Sequence, residues 1–79
     1  MQKIPFLSPI LFDLGHHIKQ IRNIKNISQT QLAYTCDMEK STISKIEAGL
    51  VNVGYLSLHR ISKALGVSIC ELSKDKATD

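Results

Sequence analysis

Lys40, Ser41, Thr42, Ser44 and Lys45 are short polar or cationic residues, and the positions interleaved with them, Ile43 and Ile46, are apolar. Hydroxyls donate and accept hydrogen bonds, whereas ammonium groups only donate and carry charge. Such a set can recognise an anionic, acceptor-rich surface. Residue types that could break a covalent bond are present without the arrangement. Ser, His and Asp occur singly, with no phosphate-cradling glycine loop and no nucleophile–base motif. His16 and His17 are adjacent, so they lie about 100° apart on a helix, and His59 is remote, a poor set for a metal. Cys36 and Cys70 are far apart and form no Cys-x-x-Cys pair; two buried thiols in a reducing compartment are expected. The chain should bind rather than catalyse, with no metal or cofactor.

The elements that must position these residues follow from periodicity. Leu11, Leu14, Ile18 and Ile21 recur at steps of three and four, predicting an amphipathic helix over about 9–25. Ser8-Pro9 supplies its start and Asn26 its left-handed stop, while Ile24 falls off the stripe and should be exposed. Ser28 and Gln31 have capping-box spacing and open a second, short helix that ends at Thr35 or Cys36, broken by Asp37. A third helix is expected from about Glu39 to Ala48, with Gly49 at its end. A fourth, over about 55–65, carries Leu58, Ile61 and Leu65 inward and stops at Gly66. Ser68 caps a short fifth helix holding Leu72. No segment alternates with period two for long enough to make a strand. The reading is all-α: five short helices over one domain at 9–73, an N-terminal arm at 1–8 and a flexible tail at 74–79.

Composition bounds the class of partner. Seventy-nine residues allow one small domain, and 43% apolar content is enough for a core. A net charge of +3 suits a polyanion without requiring one. No apolar run approaches the ~18 residues of a membrane span. The start, Met1-Gln2-Lys3-Ile4-Pro5, lacks a signal peptide's apolar stretch, so a cytoplasmic location is expected.

Two short helices joined by a tight turn, the second polar on one side and apolar on the other, are what a reader of the DNA major groove needs. Leu32, Ala33, Cys36, Met38, Ile43 and Ile46 make the inner wedge, with Ala33 at the closest crossing. Lys40, Ser41, Thr42, Ser44 and Lys45 remain for the outside. From Leu14 to about Leu72 the chain resembles the XRE family, the phage repressor and Cro type of helix-turn-helix domain. The resemblance is carried by Leu14-Gly15, Ile21-Arg22, Ser28-Gln29, Leu32-Ala33, Ser41-Thr42-Ile43-Ser44-Lys45-Ile46-Glu47, Gly49 and Ala64-Leu65-Gly66-Val67.

That resemblance implies a transcriptional regulator of double-stranded DNA and assigns roles. Gln29 would hold a phosphate through its side chain and the helix amides. Lys40, Ser41 and Lys45 would face base edges, a lysine there seeking the two acceptors of guanine, with Thr42 and Ser44 at phosphates or nearby bases. Asn52 would touch the backbone from the following loop. Arg22 and Glu47 would face each other as a structural salt bridge. One such domain contacts few base pairs, so a two-fold homodimer on a palindromic operator is expected. Leu56, Ile69 and Cys70 are its candidate interface, and Val53, Ile4, Phe6 and Leu7 are possible extensions.

The chain also departs from the family pattern. Asp37 stands where glycine usually turns, Glu39 where a serine usually caps, and Leu50, Val51 and Val53 replace more polar residues or proline. Glu39 leaves a carboxylate near the phosphates, which should weaken binding or demand an exocyclic amine such as cytosine's. Glu39, Leu50 and Val51 favour a rival reading, a protein-interaction module that has lost DNA binding. Among regulators, a restriction–modification controller, a phage repressor and an antitoxin with a toxin partner all fit a single domain of this size.

Overall fold

The computed structural model describes residues 8–72, so the N-terminal arm up to residue 7 and the tail at 74–79 lie outside the described residues. Within them the chain is all-α, in the order α1 (Ser8–Ile24), α2 (Gln29–Cys36), α3 (Lys40–Glu47), α4 (Tyr55–Leu65) and α5 (Ile69–Leu72). The side chains of Ser8 and Pro9 are not among those described.

The first four helices end in the same way. Asn26 and Asp37 take φ of 59° and 58°, and Gly49 and Gly66 take 75° and 73°. Around each, the chain makes the paired bonds of a Schellman motif. At α2, Met38 N–H donates to the Ala33 carbonyl at 2.9 Å and Asp37 N–H to that of Tyr34 at 3.2 Å. The same pair recurs as Ile27 to Arg22 with Asn26 to Asn23, Leu50 to Lys45 with Gly49 to Ile46, and Val67 to Ser62 with Gly66 to Lys63. The residue after each left-handed position is apolar, and Ile27, Met38 and Val67 pack against the core. Each stop therefore satisfies the last carbonyls, and three of the four, all but the one at Gly49, also drive an anchor inward.

Helix starts are fixed with similar economy. Ser28 Oγ accepts from Gln31 N–H at 3.0 Å while Gln31 Oε1 accepts from Ser28 N–H at 2.8 Å, the reciprocal capping box. Ser68 and Glu71 repeat it at α5, at 3.0 and 3.3 Å. Glu39 stands at the N-cap of α3 with extended backbone and no side-chain cap bond.

Eight-residue helices are unstable alone, so packing must hold them. Ile18, Leu32, Ala33, Cys36, Ile43, Ile46, Ile61, Leu65 and Leu72 form one buried cluster drawn from all five helices. Full burial of one such aliphatic side chain contributes about 1.5–3 kcal/mol. α3 packs on α1 and α2, α2 on α4, and α5 on α1 and α4. The α1–α3 contact is close enough to require glycine. A Cβ on Gly15 would lie 2.2 Å from the Ile46 carbonyl oxygen, and one on Gly49 would lie 2.7 Å from Phe12 Cα.

Three expectations change. Leu58 packs against the core as expected but only half-buried, and Ser62, not expected inside, is buried, its hydroxyl satisfied by the His59 carbonyl at 2.7 Å. Cys70 is exposed, so only Cys36 is a buried thiol; Cys70 sits on the outer side of a one-turn helix whose buried position is Leu72. Val51 and Val53 pack half-buried against the core, which leaves Leu50, 73% exposed, as the apolar surface residue of that loop.

Candidate nucleic-acid interface

The site is built on α3, whose two faces are sharply different. Ile43 and Ile46 point into the core with 0% and 3% exposure, and Lys40, Ser41, Ser44 and Lys45 are all exposed. Thr42 is half-buried, at the border between the faces. The left-handed turn at Asp37 sets the angle at which α3 leaves α2, and Leu32, Ala33 and Cys36 fill the space between them.

A buried polar network locks the far end of α3. Arg22 Nε donates to Glu47 Oε2 at 2.6 Å, Arg22 Nη2 to Glu47 Oε1 at 3.0 Å, and Arg22 Nη1 to the Ile27 carbonyl at 2.8 Å. One guanidinium thus ties together the end of α1, the loop before α2 and the end of α3. Arginine suits this task because its planar fork matches a carboxylate.

Gln29 joins the network: its Nε2 donates to Glu47 Oε1 at 3.0 Å. Gln29 is half-buried at the first turn of α2, and its amide retains a second N–H and its carbonyl oxygen for other partners. Sequence reasoning singled out all three residues but not this contact. Residue spacing carries no information about which way a glutamine amide turns between two helices.

Asn52 is exposed in the loop between α3 and α4. Leu56 is 62% exposed, Cys70 is exposed and Ile69 half-buried, so the three proposed interface residues all reach the surface in part. His17 Nδ1 lies 3.0 Å from the Leu72 carbonyl and His16 stacks on Phe12, which gives both histidines structural roles. No group of three potential metal ligands occurs among the described residues. Burial pushes the Cys36 thiol up from its ordinary range, with Arg60 opposing the shift. That combination does not activate a nucleophile.

A helix-turn-helix family model matches residues 18–72. The chain belongs to the XRE-type helix-turn-helix family. Similar proteins include Control protein C.BamHI of Bacillus amyloliquefaciens, 48% identical over 54 residues that make up 67% of each chain. The restriction–modification controller protein C.AhdI of Aeromonas hydrophila superposes with a TM-score of 0.77 at 27% identity, over 78% of this chain and 94% of that one. SinR, the master regulator for biofilm formation, solved in complex with DNA, gives a TM-score of 0.71 at 37% identity over 75% and 95% of the two chains. This XRE-type domain is accordingly a DNA-binding transcription regulator, not an enzyme. No helix among its described residues is long and apolar enough to cross a membrane.

Proposed function

We propose that the chain is a sequence-specific controller of transcription, of the restriction–modification type, that binds a palindromic duplex operator as a two-fold dimer in the cytoplasm. The observation that carries this reading is the outer face of α3. Lys40, Ser41, Ser44 and Lys45 stand exposed on a helix whose inner face is fully packed and whose end is clamped by Arg22 and Glu47. A helix of this width fits the major groove, and donors on its N-terminal half reach base edges. The control proteins among its relatives support the choice of controller over phage repressor or antitoxin.

In this reading Lys40, Ser41 and Lys45 face bases, and Thr42 and Ser44 face the border with the phosphates. Gln29 uses the part of its amide not engaged by Glu47, together with the first amides of α2, on a phosphate. Asn52 reaches the backbone from the loop. Leu56, Ile69 and Cys70 form the contact with a second copy.

Selection of bound duplexes from a random pool tests all of this together. The expected result is a two-fold symmetric motif with half-site centres about 34–36 Å apart, roughly ten base pairs. Exposed Leu50 favours the rival protein-interaction module, for which no motif would be enriched.

A further inference from the structure

We propose that Glu39 is a specificity-determining residue of this interface, a carboxylate that reads the exocyclic amine of a cytosine next to the contact made by Lys40. The proposal rests on the DNA-binding reading above and deepens it.

Glu39 occupies the N-cap of α3 with φ −81° and ψ 147°. Its carbonyl closes the first turn, accepting from Thr42 N–H at 3.0 Å and Ile43 N–H at 3.2 Å. Short polar side chains at this position fold back onto the free amides of the first turn. Glu39 does not; its side chain is exposed and makes no cap bond. No ion pair or hydrogen bond engages its carboxylate among the described residues. The backbone of Glu39 is therefore fixed at the mouth of α3, one residue before exposed Lys40 and two before exposed Ser41, and its carboxylate is left with its accepting oxygens available.

A carboxylate can only accept. In the major groove, the donors on base edges are the amines of cytosine and adenine, and adenine's lies beside the N7 acceptor, which repels a carboxylate. Cytosine is the partner that offers a donor without this penalty, and lysine seeks the O6 and N7 of guanine. Glu39 and Lys40 together thus favour C·G pairing at the start of α3. Phosphates repel the same carboxylate, and in a non-specific complex no amine compensates. One side chain then strengthens the correct complex and weakens the others, the two routes by which discrimination is built.

The test uses the whole chain with Glu39→Gln and Glu39→Ser, on the selected operator, on duplexes substituted at each base pair in turn, and on a scrambled duplex, at one salt concentration. Glu39→Gln should keep the wild-type Tm, because the Glu39 side chain makes no cap bond, and Glu39→Ser should match or exceed it, because a serine there can cap the first-turn amides. Wild type should prefer cytosine at one position per half-site by about 5- to 150-fold. The variants should lose that preference, keep the others, and bind the scrambled duplex more tightly. An unchanged preference at every position overturns the proposal, including the case where affinity rises uniformly, which marks simple repulsion. Failure of wild type to bind any duplex overturns the DNA-binding reading itself, and this proposal with it.

Discussion

Arg22 and Glu47 meet as a two-contact ion pair, 2.6 and 3.0 Å, with 7% and 6% of each residue exposed. Because both charges are out of water, removing one strands the other. Glu47→Ala should cost about 3–5 kcal/mol, far more than a surface pair would. Against the ~5–15 kcal/mol stability of a typical domain, that is enough to depopulate the native state on heating. Denaturant titration of wild type and variant checks it. A loss below about 1 kcal/mol would show that the pair is not the clamp described.

The α1–α3 contact gives a second, independent test. Gly15→Ala would drive a methyl group into the Ile46 and Glu47 carbonyl oxygens, at 2.2 and 2.7 Å. Both are backbone atoms, so no side-chain rotation relieves the clash. Gly66→Ala meets nothing within 4 Å and suffers only from its left-handed backbone, about 1–2 kcal/mol. The Gly15 variant should be clearly the less stable by thermal melting. Equal Tm values would contradict the close approach.

Much of this frame was legible in the residues. Ser28 and Gln31 announced the start of α2, and Asn26, Asp37, Gly49 and Gly66 announced four helix ends, because caps and left-handed turns are local chemistry. What escaped was set by packing between elements. Periodicity put Leu58 inside, where it packs half-buried, but did not show that Ser62 is buried too, its hydroxyl finding a local carbonyl. Nothing in spacing shows Gln29 reaching Glu47, or α1 lying so near α3 that Gly15 has no room for a methyl group. The outer face of α3 was readable as polar, but the border position of Thr42 was not.

The cysteines should react differently. Cys70 is exposed in the single chain and should be modified by a thiol reagent far faster than Cys36 in dilute native protein, and more slowly where a second copy covers it. Cys36 is buried and its thiol is raised above the ordinary value of 9.0, first by burial and against the opposing charge of Arg60. It should react only on unfolding. The sign for stability follows: the folded state prefers the neutral thiol, so this contribution is complete below about pH 9 and is lost as pH rises further. Rapid labelling of both thiols in native buffer would contradict the packing of α2.

Dimer formation is testable through one side chain. Leu56 is 62% exposed and outside the core cluster, so Leu56→Glu should leave the fold of the single chain intact, with an unchanged helical circular-dichroism signal, while any loss of Tm should be that of the lost partner contact. In sedimentation at micromolar concentration, wild type should run as a dimer and the variant as a monomer. A wild type that is monomeric both free and on its operator contradicts the dimer, whereas a variant that dimerises normally contradicts only this placement of the interface.

The most direct test of the account is the affinity of Lys40→Ala, Lys45→Ala and the double variant for the selected operator, measured by fluorescence anisotropy over a range of salt concentrations. Both lysines are exposed on α3 opposite the buried Ile43 and Ile46. Each substitution should leave Tm nearly unchanged and weaken binding by about 1–3 kcal/mol where the lysine reads a base. Any lysine that instead contacts a phosphate should reduce the salt slope by about one. A folded double variant that binds the operator with wild-type affinity and wild-type salt dependence would contradict the assignment of α3 as the DNA-reading helix.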